Sequence, residues 1–258
     1  MTGGSVVAVV PVRALRGGKA RLAGELTADA REALTRQMLR SVVGAARDSG
    51  SIGTVVVVSP DPAVLALART VGPGVVALPQ VPLPLRAAGP EAGLNAAIAE
   101  ARDWAARHAA AALLVLFADL PLLTAEDVRN LVRRDAPVVL APDRHGTGTN
   151  ALLIRFGEEL TTEPSLTPFR FAFGVGSYAR HVEEADRLGL EVATALMPGT
   201  AFDLDTPADW RRLVGDGERV LDAGGWIMGD KDAAQAPRFM CPPSGRVDLV
   251  GHHPLSTP

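Results

Sequence analysis

Strand-length apolar runs recur along this chain with amphipathic segments between them, and that alternation limits its possible folds more than any other feature. The runs are Val6–Val12, Thr54–Ser59, Val75–Leu78, Ala112–Phe117, Val138–Ala141, Ala151–Arg155 and Leu190–Leu196. After Thr27, the residues Ala30, Leu34, Met38 and Val42 recur every four positions, which gathers one apolar helix face and leaves Arg31, Arg36, Arg40 and Arg47 largely elsewhere. Pro62–Thr70, Leu94–His108, Thr124–Arg133, Ser177–Leu188 and Pro207–Val214 read as further helices, with Thr27, Thr124 and Thr206 placed to cap their N-termini. Strands that are apolar throughout and alternate with helices predict an α/β fold: a mostly parallel sheet covered on both faces.

The 258 residues, 47% of them hydrophobic, suffice for one sizeable domain with an appendage. Beyond about Gly215 the periodicity gives way to Gly, Pro and polar residues. Residues 1–215 are therefore read as the folded domain, and 216–258 as an irregular or disordered C-terminal extension. Basic and acidic residues nearly balance, 26 against 29, so nothing favours a nucleic-acid partner. The single cysteine, Cys241, excludes an intramolecular disulfide and any cysteine-rich metal site. No apolar stretch reaches the ~18 to 20 residues of a membrane span, and the N-terminus lacks a secretory signal, so a cytoplasmic protein is expected.

Open parallel sheets bind ligands outside the carboxyl ends of their strands, which directs attention to the loops there. The first, Arg13–Arg21, carries four cations, two adjacent glycines and no acid, in a chain whose only lysines are Lys19 and Lys231. Such a loop suits a polyphosphate, because glycine lets the backbone approach and the cations offset negative charge; a solvated basic loop is the plainer alternative. It has neither the P-loop nor the GxGxxG pattern. Asp119 follows the fourth apolar run, as an Mg²⁺ ligand or as a structural residue. Asp203 and Asp205 alternate on an extended segment and with Asp119 can supply hard oxygen ligands, although Asp205 also suits capping of the helix at Pro207.

Gly146–Asn150 and Phe173–Ser177 are small-residue loops able to cradle an anion, or simply turns. Asn95 either recognises a base or sugar or caps its helix. Residues 161–173, rich in Thr, Pro and Phe, read equally as a flap or as a surface excursion. The five histidines show no triad or metal spacing and receive no role; His145 alone is expected near the site.

In order along the chain stand a basic loop with Lys19-Ala20-Arg21-Leu22, then Gly93-Leu94-Asn95, Asp119-Leu120-Pro121, Gly146-Thr147-Gly148-Thr149-Asn150, Phe173-Gly174-Val175-Gly176-Ser177 with His181, and Asp203-Leu204-Asp205-Thr206-Pro207. That series, from Val6 to about Leu213, resembles the guanylyltransferases of coenzyme F420 biosynthesis. The resemblance implies a three-layer nucleotidyltransferase fold, Rossmann-like and glycosyltransferase-A-like, over residues 1–215. It also implies an enzyme that joins GTP to phosphoenolpyruvate with loss of pyrophosphate, 2-phospho-L-lactate or 3-phosphoglycerate being the alternative acceptors.

By the same resemblance, Lys19 and Arg21 hold the triphosphate and Asp119 is catalytic. Asp119, Asp203 and Asp205 hold Mg²⁺, while Thr149, Gly174 and Ser177 hold the carboxylate and phosphate of the acid. Arg13 and Asn95 are assigned to substrate binding. Arg13 stands where the family usually has lysine, and Val175 replaces a common proline. A transient contact with the next enzyme of the pathway is carried as an expectation. Two rivals differ in kind: a related nucleotidyltransferase making a nucleotide sugar or a molybdopterin dinucleotide, and a non-catalytic nucleotide-binding module in which the aspartates are caps.

Overall fold

The computed structural model describes residues 5–81, 91–156 and 169–215. The assignment of 216–258, the flap reading of residues 161–168, and the start of the loop before Asn95 lie outside these residues. The elements in chain order are β1 (Val6–Pro11), a 3₁₀ turn (Ala20–Leu22), α1 (Ala28–Asp48), β2 (Ile52–Ser59), α2 (Pro62–Thr70), β3 (Val75–Pro79), α3 (Ala92–Arg107) and β4 (Ala112–Leu116). There follow α4 (Ala125–Arg133), β5 (Val138–Pro142), β6 (Thr149–Arg155), α5 (Ser177–Arg187), β7 (Val192–Thr194), α6 (Pro198–Ala201) and α7 (Pro207–Gly215).

The seven strands form one sheet in the order β3-β2-β1-β4-β6-β5-β7. All neighbours are parallel except those of β6, which runs antiparallel to both β4 and β5. Side-chain alternation sends Ala8 and Val10 of β1 to one face, with Leu39 and Val42 of α1, Leu67 of α2 and Leu131 of α4. Val7 and Val9 pack on the other face with Ile98 of α3 and Ala185 of α5. Both faces are therefore dry and helix-covered, the three-layer arrangement expected for strands without a polar side. A third apolar group, Leu22, Leu34, Met38, Phe202, Leu204 and Leu213, anchors the 3₁₀ turn and α7 to the start of α1.

Capping follows the expected residues. Thr27 Oγ1 accepts from Ala30 N, and Thr124 forms a reciprocal capping box with Asp127. At α7, Thr206 Oγ1 accepts from Asp209 N while Asp209 Oδ2 accepts from Thr206 N, so Thr206 and Asp209 close the helix start and the Asp205 side chain serves elsewhere. Among the described residues no helix is long and apolar enough to cross a membrane.

Candidate active site

Parallel pairing brings the carboxyl ends of β1 and β4 to one sheet edge, and the reversed β6 begins there: Leu116, the last residue of β4, pairs with Ala151 near the start of β6. The loops after β1 and β4 and residues Thr149 and Asn150 thus converge on that edge.

The loop leaving β1 is held by Leu15, whose N–H donates to Asp61 Oδ2 at 3.0 Å and whose side chain is buried. It ends at Lys19, which adopts φ 53°; a residue with a Cβ pays for this left-handed conformation, so contacts must hold it. Those contacts are ionic. Lys19 Nζ lies 2.8 Å from Asp119 Oδ2 and 2.7 Å from Asp205 Oδ1, bridging the two acidic segments. Burial disfavours its charge, but the two carboxylates outweigh that effect and raise its pKa above the ordinary lysine value. Arg13 and Arg21 are exposed and make no ion pair among the described residues, while Arg16 is engaged by Glu32.

The acidic segments are also tied through the main chain, since Leu204 N–H donates to the Asp119 carbonyl at 3.0 Å. Asp203 points toward Arg144, with Nη1 to Oδ1 3.6 Å. Burial, followed by the charges of Asp119 and Asp205, raises the pKa of Asp203. Negative charge in this corner is therefore incompletely offset by Lys19 and by Arg144, which Asp209 also binds. Among the described residues no three His, Cys, Asp or Glu side chains stand in metal-holding geometry; Asp119 and Asp205 are closed on the Lys19 ammonium. Arg144 escaped sequence reasoning. Its partners Asp203 and Asp209 lie 59 and 65 residues further on, and nothing local signals the pairing.

The second half of the site is built from β6 and α5. Ser177 Oγ accepts from Thr149 N–H at 2.9 Å, and Thr149 Oγ1 lies 3.0 Å from His181 Nδ1. All three residues are buried, and His181, given no role by sequence, is in direct contact with the candidate residue Thr149. Its four-residue spacing from Ser177, one helical turn on the same face, was the available signal. Asp143 shapes the loop before β6, its Oδ1 accepting from His145 N–H and Thr147 N–H. Gly174 has φ 121°, and a Cβ there would sit 2.6 Å from Glu91 Cγ, so the backbone path through this loop requires glycine. Val175 is 91% exposed.

Asn95 is engaged with that loop. Its Oδ1 accepts from Phe173 N–H at 2.8 Å, and its Nδ2 donates to the carbonyls of Phe173 and Glu91. The Phe173 ring in turn meets Phe117, next to the Asp119 loop, edge-on at 5.1 Å. Lys19, Asp119, Asp203 and Asp205 thus form one cluster and Thr149, Gly174 and Ser177 another, both at the same sheet edge, while Arg13 and Arg21 are not drawn into either by any contact among the described residues.

A three-layer sheet with a basic loop after its first strand, an aspartate after its fourth and a second acidic segment after its last belongs to an α/β protein of the nucleotidyltransferase class. The fold is similar to that of 4-diphosphocytidyl-2C-methyl-D-erythritol synthase, with a TM-score of 0.53 at 14% identity over 86% of this chain and 100% of that one. Sequence resolves the class further. Residues 6–221 match the family described as guanylyl transferase CofC like. The phosphoenolpyruvate guanylyltransferase of Rubrobacter xylanophilus is 45% identical over 83% of this chain and 95% of its own length, and that of Sphaerobacter thermophilus is 39% identical over 82% and 93%. The chain belongs to the CofC-like guanylyl transferase family.

Proposed function

We propose that this protein transfers the guanylyl group of GTP to phosphoenolpyruvate, releasing pyrophosphate and forming enolpyruvoyl-2-diphospho-5'-guanosine for coenzyme F420 biosynthesis. The observation that carries the reading is the juxtaposition, at one sheet edge, of a cation-and-carboxylate cluster with a pair of hydroxyls, Thr149 at the start of β6 and Ser177 at the start of α5. The relatives named phosphoenolpyruvate guanylyltransferase align over nearly their whole length, which supports the same acceptor here.

In the proposed reaction a phosphate oxygen of phosphoenolpyruvate attacks the α-phosphorus of GTP in line. A new P–O–P bond forms as the α–β bridge breaks, and pyrophosphate leaves with the electron pair. A phosphomonoester is largely ionised at neutral pH, its second pKa lying near ~6, so no general base is needed. Lys19 offsets the charge gathering on the departing pyrophosphate, and Arg13 and Arg21 of the same loop are the further cations assigned to the substrate phosphates. Thr149, Gly174 and Ser177 orient the acid, and Asn95 contributes by fixing the Phe173 backbone ahead of Gly174.

Carboxylate oxygens are the hard donors that a divalent cation seeks, and the segments carrying Asp119 and Asp203–Asp205 are tied by the Leu204 N–H to Asp119 carbonyl bond, with Asp119 and Asp205 closed on Lys19 rather than in metal-holding geometry. Asp119, Asp203 and Asp205 would hold Mg²⁺, the Lys19 ammonium turning to phosphate. Bound there, Mg²⁺ supplies neutralisation of phosphate charge.

Pyrophosphate release from GTP with Mg²⁺ tests the proposal, with phosphoenolpyruvate, 2-phospho-L-lactate, 3-phosphoglycerate or no acceptor in parallel. Release with phosphoenolpyruvate alone is expected. Release with another acid reassigns the acceptor, and GTP binding without release from any of them favours a non-catalytic module.

A further inference from the structure

The hydrogen bonds around Thr149 and Ser177 determine what their hydroxyl protons are free to do. Ala172 N–H donates to His181 Nε2 at 3.1 Å. A backbone amide can only donate, so Nε2 carries no proton and the ring is neutral with its hydrogen on Nδ1. Across the 3.0 Å contact, Nδ1–H therefore donates and Thr149 Oγ1 accepts. Ser177 Oγ likewise accepts, from Thr149 N–H. Each hydroxyl receives a protein N–H, and among the described residues neither has a protein acceptor for its own proton.

We infer that His181, held as the neutral Nδ1–H tautomer, is a positioning residue that commits the Thr149 hydroxyl to donating its proton toward a bound anionic group of the acid substrate. The inference rests on the reading of Thr149 and Ser177 as acid-binding residues and adds the element that orients them. A hydroxyl has one proton and two lone pairs; once the ring N–H takes one lone pair, the proton cannot be directed at His181, and beside an anion donating it is the favourable use of what remains.

The surroundings favour that protonation state. His181 is 0% exposed, with the Phe173 ring edge-on at 4.5 Å and the Phe169 ring at 6.1 Å. Its own helix contributes Arg180, which opposes a positive charge on the ring, and Glu184, which favours one but is occupied by Arg187 and the Arg170 N–H. The segment 169–173 contributes rings, the Ala172 amide and Arg170, whose charge faces Glu184; β6 contributes the neutral Thr149. Burial, then Arg180, lowers the His181 pKa to about 4.

Two substitutions separate the two bonds of the ring. Asparagine can place an N–H where Nδ1 stands, keeping the donor to Thr149. Glutamine can place its carbonyl where Nε2 stands, keeping only the acceptor for Ala172. In steady-state kinetics, His181→Gln is expected to raise KM for phosphoenolpyruvate about tenfold and KM for GTP less than about twofold, the loss of one hydrogen bond to a charged group. His181→Asn should stay closer to the unsubstituted protein, and His181→Gln combined with Thr149→Val should be no worse than Thr149→Val alone.

Glutamine performing as well as or better than asparagine, or effects of His181→Gln and Thr149→Val that multiply, would overturn the inference. An unchanged KM for phosphoenolpyruvate in both Thr149→Val and Ser177→Ala would instead sink the acid-binding reading, and the inference with it. The unsubstituted protein provides a check independent of refolding: ¹⁵N NMR of the His181 ring at pH 7 should show the proton on Nδ1. A proton on Nε2 would refute the assignment.

Discussion

Lys19 Nζ lies 2.7 Å from Asp205 Oδ1 across 186 residues of sequence, a contact that closes the first loop of the domain onto its last acidic segment. If the ammonium also serves the departing pyrophosphate, Lys19→Met removes a preorganised charge. Turnover should then fall by about 10²- to 10³-fold, the usual scale for one such electrostatic group. Pyrophosphate release at saturating substrates measures this, and near-native turnover would remove Lys19 from the chemistry.

Asp119 is tied to the same corner by its side chain and by its carbonyl, which accepts from Leu204 N–H. The substitution Asp119→Asn keeps the shape and removes one carboxylate charge. It should raise the Mg²⁺ concentration needed for half-maximal turnover and cost several kcal/mol (roughly) of transition-state stabilisation. A titration of Mg²⁺ into EDTA-treated protein checks both effects; an unshifted Mg²⁺ requirement contradicts the assigned ligand.

Asn95 tests stability rather than turnover. Its amide meets both polar groups of the Phe173 main chain, and the Phe173 side chain is 1% exposed. Asn95→Ala leaves those groups without partners and should destabilise the fold by about 1–3 kcal/mol, read as a lower urea midpoint. An unchanged midpoint would mean that the Phe173 segment is held by its rings alone.

His181 makes stability depend on acid. Its folded pKa, lowered to about 4, lies below the unfolded value of 6.5. Above pH 6.5 neither state binds the proton, and the group contributes no pH dependence. Between 6.5 and 4 the unfolded chain binds it and the folded one does not, so stability falls as pH falls, by about 2 kcal/mol at pH 5. Urea unfolding at pH 7.5 and 5 should show this loss, and His181→Gln, which cannot titrate, should lack that share of it.

Much of this architecture is legible in the sequence, for identifiable reasons. Strand and helix periodicities set where residues are buried, so the strands and the longer helices end within two residues of the boundaries that patterning indicates. Direction is a different matter: nothing in the apolar run at Leu152 and Ile154 states that β6 runs against its neighbours, because a buried strand presents the same side chains either way. Local hydrogen-bonding chemistry located Thr27 and Thr124 as caps, and for α7 left Asp205 and Thr206 both open. The deciding partner was Lys19, distant in sequence. The positive φ of Lys19, the Arg144 link between Asp203 and Asp209, and the His181 bond to Thr149 share that character: each is set by tertiary contact that no local window contains.

The reversal of β6 has a consequence for how the two halves of the site can change. Its first residue, Thr149, is already a member of the hydrogen-bonded sheet, whereas Lys19 and Asp119 stand on loops. Of the three residues assigned to the small acid, Thr149 therefore inherits the stiffness of the pleated scaffold, while Gly174 and Ser177 reach it from the loop and helix start beyond. The acid end of the site is thus half anchored in the sheet, whereas the nucleotide end hangs on loops that can be retuned without disturbing a strand register.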